Sequence, residues 1–326
     1  MTGPVQFIRG LRHPEAFHGD GQRSGYFEGW YVKLVSADRR SRWAVIPGVF
    51  LDPQGGGEAF VQVLDGATGA SWYHRYDVSE FGADDDRFAV RVGPNRFSDR
   101  GVVLDLPSLS GEVRFATPLD PWPVSWRSPG VMGWYAWVPR MECYHGVLSF
   151  NHSLQGTLTL NGKTMDFTGG HGYIEKDWGQ SFPAAWVWFQ SNHFQNVPAC
   201  ITASVAIIPW LRRAFRGFIV GFWLDGRLYR FATYNGAKVE SLEISDDQVK
   251  WVLRNRRYRL SLNARRVEGG LLRGPTRLDM GKRVVETLNA SVQVQLKTLQ
   301  GRLIFEGLGE HAGLEVMGDL PRLLRG

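Results

Sequence analysis

A chain of 326 residues can bury one large core or two ordinary ones, and its two cysteines, Cys143 and Cys200, supply neither a disulfide framework nor metal-ligand spacing. The net charge of +6, from 38 basic and 32 acidic residues, is scattered rather than gathered on one element as nucleic-acid binders gather it. No stretch reaches the ~20 apolar residues of a membrane-spanning helix, and the first residues lack the basic-then-apolar order of a secretory signal, so the expected location is cytoplasmic.

The aromatic content is high, with 13 Trp, 19 Phe and 10 Tyr. Each indole buries a large area and wants a partner for its N–H, a pair of demands that an enclosed pocket for a bulky apolar ligand meets. Helical periodicity is nearly absent, and period-2 alternation takes its place.

In chain order, the first informative segment is Gly25-Tyr26-Phe27-Glu28-Gly29-Trp30-Tyr31-Val32-Lys33. On a strand, Tyr26, Glu28 and Trp30 share one face while Phe27 and Tyr31 take the other, so both faces should be buried. Glu28 must then be paired with a cation or protonated, because a lone buried carboxylate is very costly. Gly55-Gly56-Gly57 precedes no helix and reads as a loop, not a phosphate cradle. Strands follow at Ala59–Leu64 and Gly156–Leu160, with hairpin dipeptides at Asp65-Gly66 and Asn161-Gly162. His13 and His18, like His145 and His152, have no partners at zinc spacing, and no Gly-x-Ser-x-Gly elbow occurs.

The richest stretch runs from Gly172 to Asn192. Tyr173, Glu175 and Asp177 share one strand face, a turn spans Gly179 to Pro183, and Trp186, Trp188, Gln190 and Asn192 share a face of the next strand. Two indoles and two amides on one face fit a cavity holding a ligand or water, or alternatively a satisfied core network. Farther on, Pro209 to Phe215 is the one predicted helical piece. Trp210, Leu211, Phe215 and Phe218, interleaved with Arg212, Arg213 and Arg216, would give it an apolar-basic face for peripheral membrane contact. Strands at Leu228–Phe231 and Ser291–Leu296, with turns at Asp225-Gly226 and Asn235-Gly236, complete an all-β pattern; Arg254 to Arg259 reads as the wet face of a strand.

Gly25-Tyr26-Phe27-Glu28 is echoed by Gly172-Tyr173-Ile174-Glu175, close to half the chain away. The echo predicts two antiparallel β-barrel or sandwich units packed side by side, residues 1–168 and 169–326, each bringing a glutamate to a common cavity.

Three segments now carry a family resemblance: Phe27-Glu28-Gly29-Trp30-Tyr31; Glu175-Lys176-Asp177-Trp178-Gly179 with Phe182-Pro183, Trp186, Trp188, Gln190 and Asn192; and Leu272-Arg273-Gly274-Pro275-Thr276. Together, in this order, they resemble the tocopherol cyclase family. The resemblance implies lipocalin-like β domains, distantly similar to carotenoid 1,2-hydratases of the hydroxyneurosporene synthase type, and closure of a prenylated hydroquinone to a chromanol. The plant motif has Asn where this chain has Asp177, which shifts the weight to Glu175 and Glu28.

The resulting expectation makes Glu175 the proton donor, with Glu28 or Asp177 accepting or orienting. A carboxylic acid buried in an apolar site keeps its proton near neutral pH. Tyr26, Trp30, Tyr173, Trp186 and Trp188 would wall the site, Gln190 and Asn192 would hold ring hydroxyls, and Arg273 would bind an oxygen or pair Glu175. The expected partner is a prenylated quinol or another apolar isoprenoid, not nucleic acid, and the chemistry calls for no metal or organic cofactor. The same residues would serve a hydratase, with water replacing the phenol, or a non-catalytic lipid or quinone carrier.

Overall fold

The computed structural model describes residues 4–210 and 213–325, and most of them are in antiparallel strands. Alternation builds these strands locally. In Gln248–Arg254, for example, Val249, Trp251 and Leu253 are buried while Lys250 and Arg254 are exposed.

The chain divides into two compact units, Met1–Phe182 with Leu271–Arg283, and Pro183–Gly270 with Val284–Gly326. The first opens with α1 (Pro4–Arg12). Its strands are β1 (Tyr26–Val35), β2 (Arg42–Leu51), β3 (Gly57–Asp65), β4 (Ser71–Tyr76), β5 (Phe81–Ala83), β6 (Ala89–Val92), β7 (Asn95–Ser98), β8 (Gly101–Asp105), β9 (Leu109–Phe115), β10 (Cys143–Leu160), β11 (Lys163–Asp166) and β12 (His171–Gly179). They hydrogen-bond in the order β4-β3-β2-β1-β12-β10-β9-β8-β7-β6-β5, with β11 on β10. The sheet curls, so strands remote in this order share one core. Trp30 of β1 stacks on Phe88 beside β6 at 6.4 Å, within a cluster that includes Val32, Val63, Val90, Val113 and Ile174.

The second unit contains β13 (Ala185–Ser191), β14 (His193–Phe194), β15 (Ala199–Trp210), β16 (Arg213–Leu224), β17 (Arg227–Ala232), β18 (Lys238–Ile244), β19 (Gln248–Arg254) and β20 (Tyr258–Arg265). After the short β21 (Gly270–Gly274) come β22 (Lys282–Thr298), β23 (Leu303–Gly318) and α2 (Leu320–Arg325). Its sheet order is β17-β16-β15-β13-β23-β22-β20-β19-β18, around a core that includes Phe189, Trp251, Val220 and Val294.

Three sequence expectations change here. First, the division falls after Phe182 rather than at 168/169, because β12 is paired on both sides within the first sheet, to β1 and β10. Second, the glutamate echo is not a repeat of two units. Its two copies lie on adjacent antiparallel strands of one sheet, where Glu28 faces Trp178 and Tyr31 faces Glu175. Third, Pro209 to Phe215 is not a helix. Trp210 pairs with Arg213 at the tip of the β15–β16 hairpin, and Leu211 and Arg212 lie outside the described residues. Strand pairing overrides the weak local helical signal. Phe218 enters the second core, and Arg216 donates to the carbonyl oxygens of Leu323 and Leu324, so the expected apolar-basic helical face does not form.

The hairpin dipeptides Asn161-Gly162 and Asp225-Gly226 both have positive φ at each residue, as a two-residue type I′ turn requires. Asp65-Gly66 instead opens a longer turn, closed by the Asp65 N–H donating to Ala70 O. Among the described residues no helix is long and apolar enough to cross a membrane.

Candidate active site

β12 is the centre of the first sheet's chemistry. Its register with β1 and β10 sorts side chains onto two faces. One face carries Glu28, Trp30, Lys176, Trp178 and Tyr144. The other carries Tyr31, Lys33, Tyr173, Glu175, Asp177, Cys143 and His145. The two predicted catalytic glutamates therefore point to opposite sides of the sheet.

On the first face, Glu28 is fully buried and ion-paired at 2.5 Å to Lys176, itself fully buried. The backbone N–H groups of His18 and Gly19 donate to the same carboxylate at 3.0 and 3.1 Å, and the Tyr26 hydroxyl donates to it as well. Burial alone would raise this carboxyl, but Lys176 and His18 outweigh it and hold Glu28 below the ordinary glutamate value. Lys176 also donates to the carbonyl oxygens of Pro14 and Ala16, and its ammonium lies 4.8 Å from the ring centres of both Trp30 and Trp178. His18 Nδ1, at 2.7 Å from Lys176 Nζ, accepts from it, while Nε2–H donates to Gly10 O at 3.1 Å. Burial and the lysine charge keep this imidazole neutral by lowering its pKa. A charged pair of this kind fastens residues 14–19 to the sheet, and its ionised Glu28 carboxylate holds no proton to donate. Trp30 is likewise structural, buried in the core with Nε1–H donating to Glu15 O at 3.2 Å.

The second face presents a row of titratable groups. The Tyr173 hydroxyl donates to Glu175 Oε2 at 2.5 Å. His145 Nε2 approaches the same oxygen at 3.7 Å, and His145 Nδ1–H donates to Asp177 Oδ1 at 2.9 Å. The Cys143 thiol lies 3.9 Å from Asp177 Oδ1, and burial pushes its pKa well up, so it remains a neutral donor. Glu175 and Tyr173 are buried, whereas Asp177 is partly exposed. Burial would lower His145, but the charges of Asp177 and Glu175 outweigh it and raise the pKa to about 9. At neutral pH His145 is thus an imidazolium held between two carboxylates. Tyr31 stands directly opposite Glu175 on β1 and adds a second phenol ring to this face.

Among the described residues, His145, Glu175 and Asp177 also form a group whose ligand atoms lie within 4.8 Å of one another. They could take a divalent cation with the imidazole neutral; with it charged they form a proton relay.

The first unit also encloses a cavity of about 660 Å³, within the usual range for small-molecule sites. His18, Tyr26, Trp178, Tyr144, Met132 and His145 are among the residues that line it. The rings of His18 and Tyr144 both stack on Trp178, at 4.2 and 5.4 Å. Arg273 does not pair Glu175. Its backbone is fixed to the Gln62 side-chain amide by bonds of 2.7 and 2.8 Å, and its guanidinium lies 4.5 Å from the Tyr73 ring centre.

In the second unit, Trp186, Trp188 and Gln190 share the β13 face opposite the core-facing Val187 and Phe189, and that face too is buried. Trp186 Nε1–H donates to Glu315 Oε2 at 2.5 Å, and Gln190 Nε2–H donates to Asn192 Oδ1 at 3.4 Å.

Sequence reasoning missed His145 and Lys176 as partners. Nothing local links His145 to Asp177 or Lys176 to Glu28; only the pairing of β12 with β10 and β1 does. The usable signal for Lys176 was the demand that a buried Glu28 find a cation.

A model of the family described as tocopherol cyclase-like matches residues 95–318. The chain is 22% identical to "Tocopherol cyclase, chloroplastic" of Zea mays, covering 97% of this chain and 80% of that protein. It is also 22% identical to "Probable tocopherol cyclase, chloroplastic" of Oryza sativa subsp. japonica, covering 98% and 81%. The crystal structure of CghA with Sch210972 superposes with a TM-score of 0.57 at 14% identity, over 90% of this chain and 89% of that one, a likeness of fold. The all-β, lipocalin-like architecture that the motifs implied is the one observed, and the chain belongs to the tocopherol cyclase-like family.

Proposed function

We propose that this protein is an enzyme that closes a prenylated hydroquinone to a chromanol by acid-promoted addition of the phenol across a prenyl double bond. The observation that carries the reading is the row Tyr173–Glu175–His145–Asp177, a buried carboxyl group fed by a stabilised imidazolium. Family membership supports the reaction class, since the maize and rice relatives bear the name tocopherol cyclase.

Glu175, first protonated by His145, delivers that proton to the alkene carbon, leaving a tertiary cation. The phenolic oxygen bonds to that carbon and the phenolic proton passes to His145, which has yielded its own to Glu175, so the proton count is unchanged and the reaction is an isomerisation with no redox change. Tyr173, donating to Oε2, orients the carboxyl group. His145 reloads it: 3.7 Å is beyond a direct hydrogen bond but within reach of one small rotation or a bridging water. The phenol rings of Tyr173 and Tyr31, on the same face as Glu175, stabilise the cation by roughly 2 kcal/mol where water is excluded. Trp186, Trp188, Gln190, Asn192 and Arg273 are assigned to substrate binding on side-chain chemistry alone. Water in place of the phenol would make the same row a hydratase.

The pH profile tests the relay. With His145 as proton reservoir, cyclisation of a methylated prenyl-hydroquinone should hold from neutral pH upward and fall through an apparent pKa near 9. Asp177→Asn, which installs the plant motif's residue, keeps the hydrogen-bond shape but removes one raising charge. Its alkaline limb should move toward 6.5, histidine's ordinary value, with activity near pH 6 retained. An alkaline limb that stays in place in Asp177→Asn removes His145 from the relay. Bound but chemically unchanged quinol in the wild type would favour the carrier.

A further inference from the structure

The segment from Pro121 to Met141 concentrates aromatic rings on the surface of the first unit. Trp126 is 59% exposed, Trp134 45% and Val124 40%, with Ile8 of α1 at 40%. Trp126 and Arg127 sit at the tip of a two-residue turn clamped by reciprocal backbone bonds between Ser125 and Ser128, both 3.1 Å. Trp137 meets Trp126 edge-on at 4.9 Å and donates its indole N–H to Trp126 O, while Trp134 stacks on Tyr135 at 4.1 Å. The rings are therefore held in place rather than loosely displayed. An exposed apolar patch of this kind costs solubility unless something covers it.

Within this segment the charges have one sign. Between Pro121 and Met141 the ionised side chains are Arg127 and Arg140, with no Asp or Glu, and both arginines are exposed. The Arg12 guanidinium lies over the Trp126 ring at 5.2 Å, adding a third cation. Indoles flanked by arginines suit the headgroup layer of a bilayer, where the ring body is apolar and the N–H and cations stay wet. The same segment supplies Pro129, Gly130, Met132, Ala136 and Trp137 to the lining of the 660 Å³ cavity.

We infer that this Trp126–Trp134 face is a docking surface for an anionic lipid bilayer. It stands independently of the proposed chemistry. The cations select anionic headgroups, and the indoles anchor the protein at the interface.

Flotation with phosphatidylcholine vesicles, with and without a minor share of phosphatidylglycerol, tests the inference. The wild-type protein should float with anionic vesicles, with a blue-shifted Trp emission. Trp126→Ser with Trp134→Ser should weaken binding by about tenfold or more. Arg127→Gln with Arg140→Gln should weaken it by about fivefold per charge, on anionic vesicles only. Because the altered side chains are exposed, the thermal midpoint should hold. Failure of the wild type to float, full binding by the Trp variant, or equal affinity for neutral and anionic vesicles overturns the inference. Self-association through the patch without vesicle binding does so too. Loss of flotation with cyclisation of detergent-dispersed substrate intact separates this surface from the catalytic row.

Discussion

Glu175→Gln is expected to lower the rate of cyclisation by ~10²–10⁴, about 3–5 kcal/mol of barrier, while leaving ligand affinity nearly unchanged. The amide keeps the shape and still accepts from the Tyr173 hydroxyl, but it carries no transferable proton. The uncharged amide is no costlier to bury than the carboxylate it replaces, so the fold should tolerate the change. Turnover of a methylated prenyl-hydroquinone, followed together with binding by Trp quenching, gives the answer. A Gln variant with full turnover would remove Glu175 as the acid. A variant that also loses binding would assign the residue to substrate recognition. His145→Gln should reproduce the loss in milder form, since Glu175 remains but is no longer reloaded from an imidazolium.

The second large effect is on stability. Lys176→Met leaves the fully buried Glu28 without its ammonium, and breaking one side of a buried ion pair typically costs about 3–5 kcal/mol. For a domain of this size each kcal/mol shifts the midpoint by about 2–4 °C, so a drop on the order of 10 °C is expected. Glu28→Gln with Lys176→Met should recover much of the loss, because the pair is then replaced by neutral groups. Equal midpoints for the single and double variants would sink the ion-pair account.

The pH dependence follows from the direction of the Glu28 shift. Its folded pKa lies below the ordinary value of 4.5, so its stabilisation is complete above that pH and is lost as pH falls through the folded value. His145 acts in the opposite sense. Its raised pKa contributes stability that is full below 6.5 and lost as pH rises through about 9. Chemical denaturation across this window should show a decline that Asp177→Asn flattens.

Much of this was legible in the chain. The alternation of Gln248–Arg254 and the dipeptides Asn161-Gly162 and Asp225-Gly226 specify strands and turns through local sterics alone. The all-aromatic flanks of Glu28 required a strand buried on both faces and a partner for the carboxylate, and β1 has both. The Gly172–Asn192 stretch stood out by placing carboxylates, indoles and amides on shared strand faces. Within any one strand, the side-chain period of two settles which residues share a face, and the chain carries that information by itself. It does not carry the register between strands, which depends on hydrogen bonds between segments far apart in sequence. A slip of one residue between β1 and β12 would have put Glu28 and Glu175 on the same side. The pairing of Tyr31 with Glu175, and of His145 with Asp177, instead separates the Glu28–Lys176 ion pair from the row of Tyr173, Glu175, His145 and Asp177 on the two faces of one sheet, and only the tertiary structure decides that.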